Sequence, residues 1–431
     1  MKQSMINKLI NKHFTSPEKK RFIENVFSLG LLQGANYILP LLTIPYLVRV
    51  LGPDYFGLLA FATATIMYAA LLTDYGFNLS ATRQISIHRE NHRKVSEIFS
   101  SVMIIKSLLM FAGFIATILL VTTIDKFNEH WEVYILTFGV VIGQVLFPVW
   151  FFQGIEMMKY ITFINIFSKS IFTLLIFIFV KNKSDFLLVP FFTALGAVFG
   201  GLWSMHLIVN KIGCKLIWPG LDNIKFQLKD GWHVFFSSLA ISLYTVSTTF
   251  ILGLLTNSAA VGQFAGVEKI IQAAKGIYQP IAQAVYPMIG KMFHDNKLTA
   301  LTFAKNLTKI IIIIMSLLSG FLYIFSNSIA NLILGPQFSE AAILLKIMSP
   351  LPLIIALSNI LGIQIMLNLG LKAAFSKILT VAALIGVAFS FLLVPRLKEH
   401  GTAYTLLIVE IFVTIAMSFY VKHYLQSTVA R

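Results

Sequence analysis

Charge is what this chain has least of. Aspartate and glutamate number 18 in 431 residues, lysine and arginine 34, and all four together make up 12% of the sequence. A water-soluble domain carries about 25% charged residues. With 57% hydrophobic residues, much of this chain's surface must face lipid instead. Cysteine is nearly absent: Cys214 stands alone, which excludes an internal disulfide and any CxxC metal or redox pair. No role is expected for it. Catalytic patterns are missing as well. The histidines lie mainly in polar loops, and no HExxH pair, GxxxxGK[ST] phosphate loop or GxSxG elbow occurs. No metal or organic cofactor is expected, and the chain does not read as an enzyme.

What is present is a series of apolar runs. A membrane crossing needs about 20 mostly apolar residues. Twelve segments meet that need: 26–48, 56–77, 98–122, 132–152, 160–180, 186–209, 232–255, 261–289, 307–326, 342–368, 373–394 and 401–422. The expected fold class is therefore an all-α integral membrane protein of twelve transmembrane helices. The first 25 residues are polar and basic, with no short apolar core or small-residue cleavage site after them. They read as a retained segment rather than a signal peptide. The net charge of +16 would suggest nucleic acid in a soluble protein. Here it is a topology signal, and no nucleic-acid partner is expected. With both termini in the cytoplasm, 22 lysines and arginines fall on the inner side and 6 on the outer. Loop lysines are expected to lie against anionic lipid head groups.

The two halves are weakly alike. Gly57 and Ala60 open the second segment, and Gly262 and Ala265 open the eighth, 205 residues later. Long basic loops follow both. Repeated halves are a common transporter architecture. The expected division is a cytoplasmic N-terminal segment 1–25, an N-lobe 26–209 with helices 1–6, a cytoplasmic linker 210–231, a C-lobe 232–424 with helices 7–12, and a tail 425–431. Gly30-xxx-Gly34, Gly196-xxx-Gly200 and Gly262-xxx-Gly266 read as close helix contacts. Pro40, Pro45, Pro280 and Pro287 read as bends in the first and eighth segments, static or moving.

The most informative stretch is the eighth segment. Glu268, Gln272, Lys275, Gln279 and Gln283 recur at helical spacing and share one face. A charge at the bilayer centre costs roughly 3 kcal/mol on insertion scales. Such a stripe calls for a water-filled cavity or a polar partner. Gln33 and Asn36 mark a face of the first segment, and Asn165 and Lys169 a face of the fifth. Ser238, Ser242, Thr245 and Thr249 in the seventh read as interhelical hydrogen bonds. Lys169 and Lys275 lie too deep to snorkel, whereas Lys106, Lys346 and Lys377 lie near segment ends and can. The buried charges are mostly lysines, which suits an anionic substrate better than a cationic drug. Glu268 is a candidate proton or sodium site, or a fixed partner for a lysine. It cannot touch Lys275, two turns and about 10 Å away.

Several runs carry a family likeness: Leu51-Gly52-Pro53-Asp54-Tyr55-Phe56-Gly57, Asp74-Tyr75-Gly76-Phe77 through Arg83, Pro148-Val149-Trp150-Phe151-Phe152-Gln153-Gly154-Ile155-Glu156 through Tyr160, Gly335-Pro336-Gln337-Phe338, and Ser358-Asn359 through Gln364. Across about residues 22 to 424 the chain resembles the Wzx O-antigen flippases of the MATE-like (MOP) superfamily. That resemblance implies two six-helix lobes around a central hydrated, cationic cavity. It implies transfer of undecaprenyl-diphosphate-linked oligosaccharide units across the bacterial inner membrane by alternating access, for lipopolysaccharide or another surface polysaccharide. A polysaccharide polymerase and a chain-length regulator are implied partners, and proton or sodium coupling an open option. On this reading Lys169 and Lys275 meet the diphosphate, and the amide and hydroxyl stripes meet the sugar. Trp150, Phe151 and Phe152 are interfacial anchors or sugar platforms. Asp74 and Arg83 are an inner latch or a helix-end ion pair. The alternatives are a cation-coupled multidrug antiporter, whose relatives carry an acid in the first segment where this chain has none, or another lipid-linked glycan flippase.

Overall fold

The computed structural model describes residues 16–245, 247–279, 282, 285, 289–290, 292–293 and 296–429. Pro280, Gln283 and Pro287 lie outside them, as do Ser238 and Thr245 for their side chains. Among the described residues there are helices and turns and no strand. In chain order the helices are α1 (Ser16–Asp74), α2 (Phe77–His88), α3 (His92–Thr123), α4 (Trp131–Leu146), α5 (Val149–Gly154), α6 (Met158–Phe179), α7 (Leu188–His206), α8 (Leu221–Thr245), α9 (Ser247–Leu255), α10 (Ser258–Gly276), α11 (Lys297–Ile324), α12 (Ser326–Ile333), α13 (Ala341–Met348), α14 (Leu351–Asn359) and α15 (Lys372–Val429).

Eight helical stretches among the described residues are long and apolar enough to cross a membrane. Two of them, Leu42–His88 with 47 residues and Lys372–Gln426 with 55, exceed the length of one crossing. Both contain a break where the sequence places an outer loop. In α1 it is Gly52, at φ 71° and ψ 178°, a conformation open to glycine and hostile to other residues. In α15 it is Lys398, at φ 48°, just past Pro395. The polar eighth segment is not among the eight. Its helix α10 carries Glu268, Lys269 and Lys275 within 19 residues.

The chain packs as two compact units, Met1–Pro40 with Ile66–Ser238, and Leu41–Thr65 with Leu239–Arg431. The core of the first is aromatic. Trp150, Phe151 and Phe152 are fully buried with Phe77, Phe99 and Ile85. The Phe99 ring centroid lies 5.9 Å from Trp150 and 5.2 Å from Phe151. The expectation of interfacial anchors at 150–152 is therefore corrected. The short helix α5 turns all three rings inward, where burying each large side chain stabilises by about 2–3 kcal/mol. Cys214 is buried beside them. Burial pushes its thiol up, and the Ser96 hydroxyl at 3.7 Å offsets this only in part. The core of the second unit is aliphatic, with Ile311, Met315, Met366, Val413 and Met417 at its centre.

Glycine sets the closest contact in the second unit. A Cβ on Gly57 would overlap the Ser258 carbonyl oxygen, and one on Gly262 would overlap the Pro53 carbonyl oxygen. The 205-residue repeat carries Pro53 onto Ser258 and Gly57 onto Gly262. The structure pairs Pro53 with Gly262 and Gly57 with Ser258, the exchange that a local two-fold axis requires. Gly196 and Gly200 are also packed closely, against Phe172 and Ser168. At Gly30 and Gly34 no described atom lies within 4 Å of a Cβ, so among the described residues this pair makes no close helix contact. Gly262→Ala should force α10 off the Pro53 turn, cost about 1–3 kcal/mol and lower the unfolding temperature in detergent. Gly320→Ala, where a Cβ meets open space, should leave that temperature unchanged or raise it.

Candidate substrate path

In the first unit, three of the expected residues come together. Lys169, midway along α6, donates from Nζ to Asn36 Oδ1 of α1 at 2.8 Å. Asn165, one turn earlier, lines the same cavity of about 330 Å³, together with Gln144, Ser168, Thr173 and Thr193. Its walls are α4, α6 and α7. The lining is mainly apolar with these six polar side chains set into it, and α4 packs closely on α7 beside it. A Cβ on Gly139 would lie 2.6 Å from that of Ala194, and one on Gly143 would overlap the Ala197 backbone. The pocket offers one ammonium, two amides that donate and accept, and three hydroxyls. Ser168 Oγ is buried and makes no hydrogen bond among the described residues. Gln33, one turn before Asn36 and half-buried, is not hydrogen-bonded to the other three.

In the second unit the stripe of α10 stands as expected up to its end. Gln272 Nε2 donates to Glu268 Oε1 at 3.1 Å, so the near partner of the carboxylate is an amide one turn on, not a lysine. Lys275 is half-buried, and its ammonium makes no hydrogen bond or ion pair among the described residues. Gln279 is exposed. The helix expected over 261–289 is interrupted after Gly276, and the described residues 279, 282, 285 and 289–290 are helical again. Ile277 and Tyr278 donate to the carbonyls of Ala274 and Lys275, at 3.3 and 3.1 Å, a tightening of the last turn. Pro280, which cannot donate and disfavours helix before it, follows at once. Two side chains from the tenth segment support this turn. Tyr278 Oη donates to Asn359 Oδ1 at 3.2 Å, and Gln364 Nε2 to the Ala282 carbonyl at 2.9 Å. Gln364 sits in a π turn, Ile360–Met366, of the kind that recurs at functional sites.

The Asp74–Arg83 pair does not form. Asp74 Oδ1 accepts from Lys106 Nζ at 3.4 Å and from Asn78 Nδ2 at 2.8 Å. Arg83 reaches Asp230 of α8 at 3.2 Å. The break after α1, where Tyr75 and Gly76 take φ of 46° and 76°, leaves Asp74 beside Asn78 in the first turn of α2, while Arg83 pairs with Asp230 instead. Lys106 does not snorkel either; it is 4% exposed and neutralised in place. Beside Arg83, Gln84 and Gln227 exchange amide hydrogen bonds at 3.0 and 2.7 Å, and Gln84 also donates to Asp230 at 2.8 Å. This buried cluster tying α2 to α8 went unread in the sequence, since its partners lie about 143 residues apart and share no periodicity.

The pattern of the family described as "Polysaccharide biosynthesis protein" matches residues 22–293. A protein of Escherichia coli (strain K12) described as "Putative O-antigen transporter" is 36% identical over 399 residues, 93% of this chain and 96% of that protein. A protein of Shigella dysenteriae with the same description is 29% identical over 404 residues, 91% of this chain and 98% of its own. Among solved structures, an inward-facing MATE family multidrug resistance transporter of the MOP superfamily superposes with a TM-score of 0.72 at 14% identity, covering 90% of this chain and 95% of its own. The lipid II flippase MurJ in an inward closed conformation gives the same TM-score and identity, covering 93% and 87%. At that identity the two structures bear on fold alone, and they agree with an all-helical fold.

The Asp74–Lys106 pair yields a direct stability test. Removing one partner of a buried ion pair costs about 3–5 kcal/mol, and the lower end applies because Asp74 keeps 28% exposure. Asp74→Asn or Lys106→Met alone should lower the unfolding temperature markedly, and the double change Asp74→Leu with Lys106→Met should restore most of it. Equal losses in the single and double variants would remove the pair from the account.

Proposed function

The chain belongs to the polysaccharide biosynthesis protein family, and on that premise we propose that it flips undecaprenyl-diphosphate-linked O-antigen or related oligosaccharide units from the cytoplasmic to the periplasmic leaflet. It is a multi-pass membrane protein and a transporter rather than an enzyme. The observation that carries this reading is full-length similarity to proteins described as O-antigen transporters. The polar residues agree with it. A lipid-linked diphosphate brings concentrated negative charge into a layer of low dielectric, where only fixed cations or water can stabilise it. Lys169 supplies a cation whose present partner, Asn36 Oδ1, is a neutral amide oxygen. A phosphate oxygen forms a stronger, charge-assisted bond with the same ammonium. The cavity amides and hydroxyls then serve sugar hydroxyls, while the polyprenyl tail stays in lipid. Lys275, with Gln272 and Gln279 beside it, offers a second cation in the other unit.

In this proposal twelve crossings form two six-helix lobes, 26–209 and 232–424, that alternate access to a hydrated path between them. Both termini lie in the cytoplasm, and the membrane is the bacterial inner membrane. Glu268 is the candidate coupling carboxylate for a proton or sodium ion. A polymerase and a chain-length regulator take up the unit on the outer side. No acid occupies the first apolar segment, which speaks against the cation-antiporter reading.

In a strain deleted for this gene, the surface polysaccharide ladder should be lost and lipid-linked units should collect on the inner leaflet. Wild type should restore both. Lys169→Ala and Lys275→Ala, at normal protein level, should each cut the ladder about tenfold or more, the equivalent of a lost charge-assisted hydrogen bond. Glu268→Gln should retain some transport and flatten its dependence on pH. Full activity with an unchanged pH response would remove Glu268 from coupling, and an intact ladder in the deletion strain would argue against the flippase reading.

A further inference from the structure

The ends of α6 and α7 on the lysine-rich side hold an arrangement that the path described above does not use. Lys159 and Lys211 converge on one aromatic ring. Their Nζ atoms lie 5.7 and 5.4 Å from the ring centroid of Tyr160, both inside the cation–π range of about 6 Å. The ring is steadied by Phe152, 5.8 Å away centroid to centroid and itself fully buried in the aromatic core. Lys159 stands in the first turn of α6, a turn that contains no acid. Lys211 closes a π turn, Leu207–Lys211, at the end of α7. Both lysines are exposed, and neither makes an ion pair among the described residues. Glu156, the acid nearest in sequence, is bound by Arg89 at 2.8 Å.

Two ammonium groups gathered on one ring repel each other, and each cation–π contact at an exposed site returns only about 0.5–1 kcal/mol. An anion bound between or beside them converts repulsion into attraction. Two positive charges suit two phosphate charges better than the single charge of a phosphodiester. The site also lies ten residues before Lys169 on the same helix, about 15 Å along its axis.

We propose that Lys159, Tyr160 and Lys211 form a docking site for the diphosphate head group of a polyprenyl-linked lipid, where the substrate waits at the cytoplasmic face before it reaches Lys169. The identity of the lipid and the sidedness rest on the flippase reading; the clustering of the two lysines does not. The site binds the diphosphate by charge while the Tyr160 ring biases the two cations toward one place, and no covalent step is involved.

The test is binding of undecaprenyl diphosphate to the purified full chain in phosphatidylcholine nanodiscs, read by native mass spectrometry. It is made in the Lys169→Ala, Lys275→Ala background to silence both lysines of the proposed path. Adding Lys159→Gln with Lys211→Gln should weaken binding about tenfold or more, as expected for lost charge-assisted contacts. Lys159→Arg with Lys211→Arg should keep it, as should the remote Lys183→Gln. Phosphatidylglycerol binding should change far less than diphosphate binding. Unfolding temperatures equal to the parent's establish that the variants are folded. Equal loss for phosphatidylglycerol would overturn the proposal in favour of a general anionic-lipid contact. Unchanged diphosphate binding in the glutamine pair would overturn the docking site and leave the flippase reading standing. Absence of diphosphate binding by the wild type would overturn both.

Discussion

An ammonium ion placed among hydrocarbon must be neutralised, hydrogen-bonded or wetted, and the structure of this chain follows from how it treats its few internal lysines. Lys106 is answered in full by a carboxylate, Asp74, and is buried. Lys169 is answered in part, by an amide oxygen and by a cavity that sets a few amides and hydroxyls among apolar walls. Lys275 meets neither an acid nor an amide among the described residues. That gradation separates structural from functional charge. A satisfied pair stabilises one conformation and has nothing left for a ligand, whereas a cation held by a neutral partner can exchange it for an anion at small cost.

Around these charges the framework is built by close packing of small and aromatic residues. The family motifs meet one another in pairs. In the first unit the 74–83 run meets the 148–160 run. Thr82 Oγ1 donates to the Trp150 carbonyl at 3.1 Å, and a Cβ on Gly154 would lie 3.1 Å from the Thr82 carbonyl oxygen. In the second unit Phe56, from the 51–57 run, meets Phe338 edge-on at 6.4 Å, and Gln263 Nε2 donates to the Gln337 carbonyl at 3.4 Å. The motifs that betray the family in the sequence are thus largely packing devices, and the polar residues that suggest transport lie elsewhere, on α1, α6 and α10.

Much of this was open to reading in advance. Apolar runs of crossing length and glycine or proline breaks locate the helices, because both are local consequences of backbone chemistry. The spacing of Glu268, Gln272 and Lys275 gives the shared face of α10, and that of Asn165 and Lys169 the shared face of α6. What the spacing could not give is which face meets which. The sequence allows Trp150, Phe151 and Phe152 to sit at an interface or in a core, and the orientation of a six-residue helix decides between them. Asp74 and Arg83 are nine residues apart and look like partners, but the backbone reversal at Tyr75 and Gly76 hands each to a different helix. The Gln84–Gln227 pair, and the approach of Lys211 to Lys159 and Tyr160, join residues that are distant along the chain and carry no local signal.

The measurement closest to the central claim is transbilayer movement of a lipid-linked oligosaccharide by the purified protein. Vesicles are loaded with undecaprenyl-diphosphate-linked O-antigen unit in the leaflet matching the cytoplasmic face, and its arrival in the other leaflet is followed with a glycan-binding reporter. Wild type should move the lipid faster than empty vesicles do, and the double variant Lys169→Ala with Lys275→Ala should approach the empty-vesicle rate at equal protein content. Movement by the double variant at the wild-type rate would contradict the role of the two lysines. No movement by correctly folded wild type, with or without an ion gradient, would contradict the account as a whole.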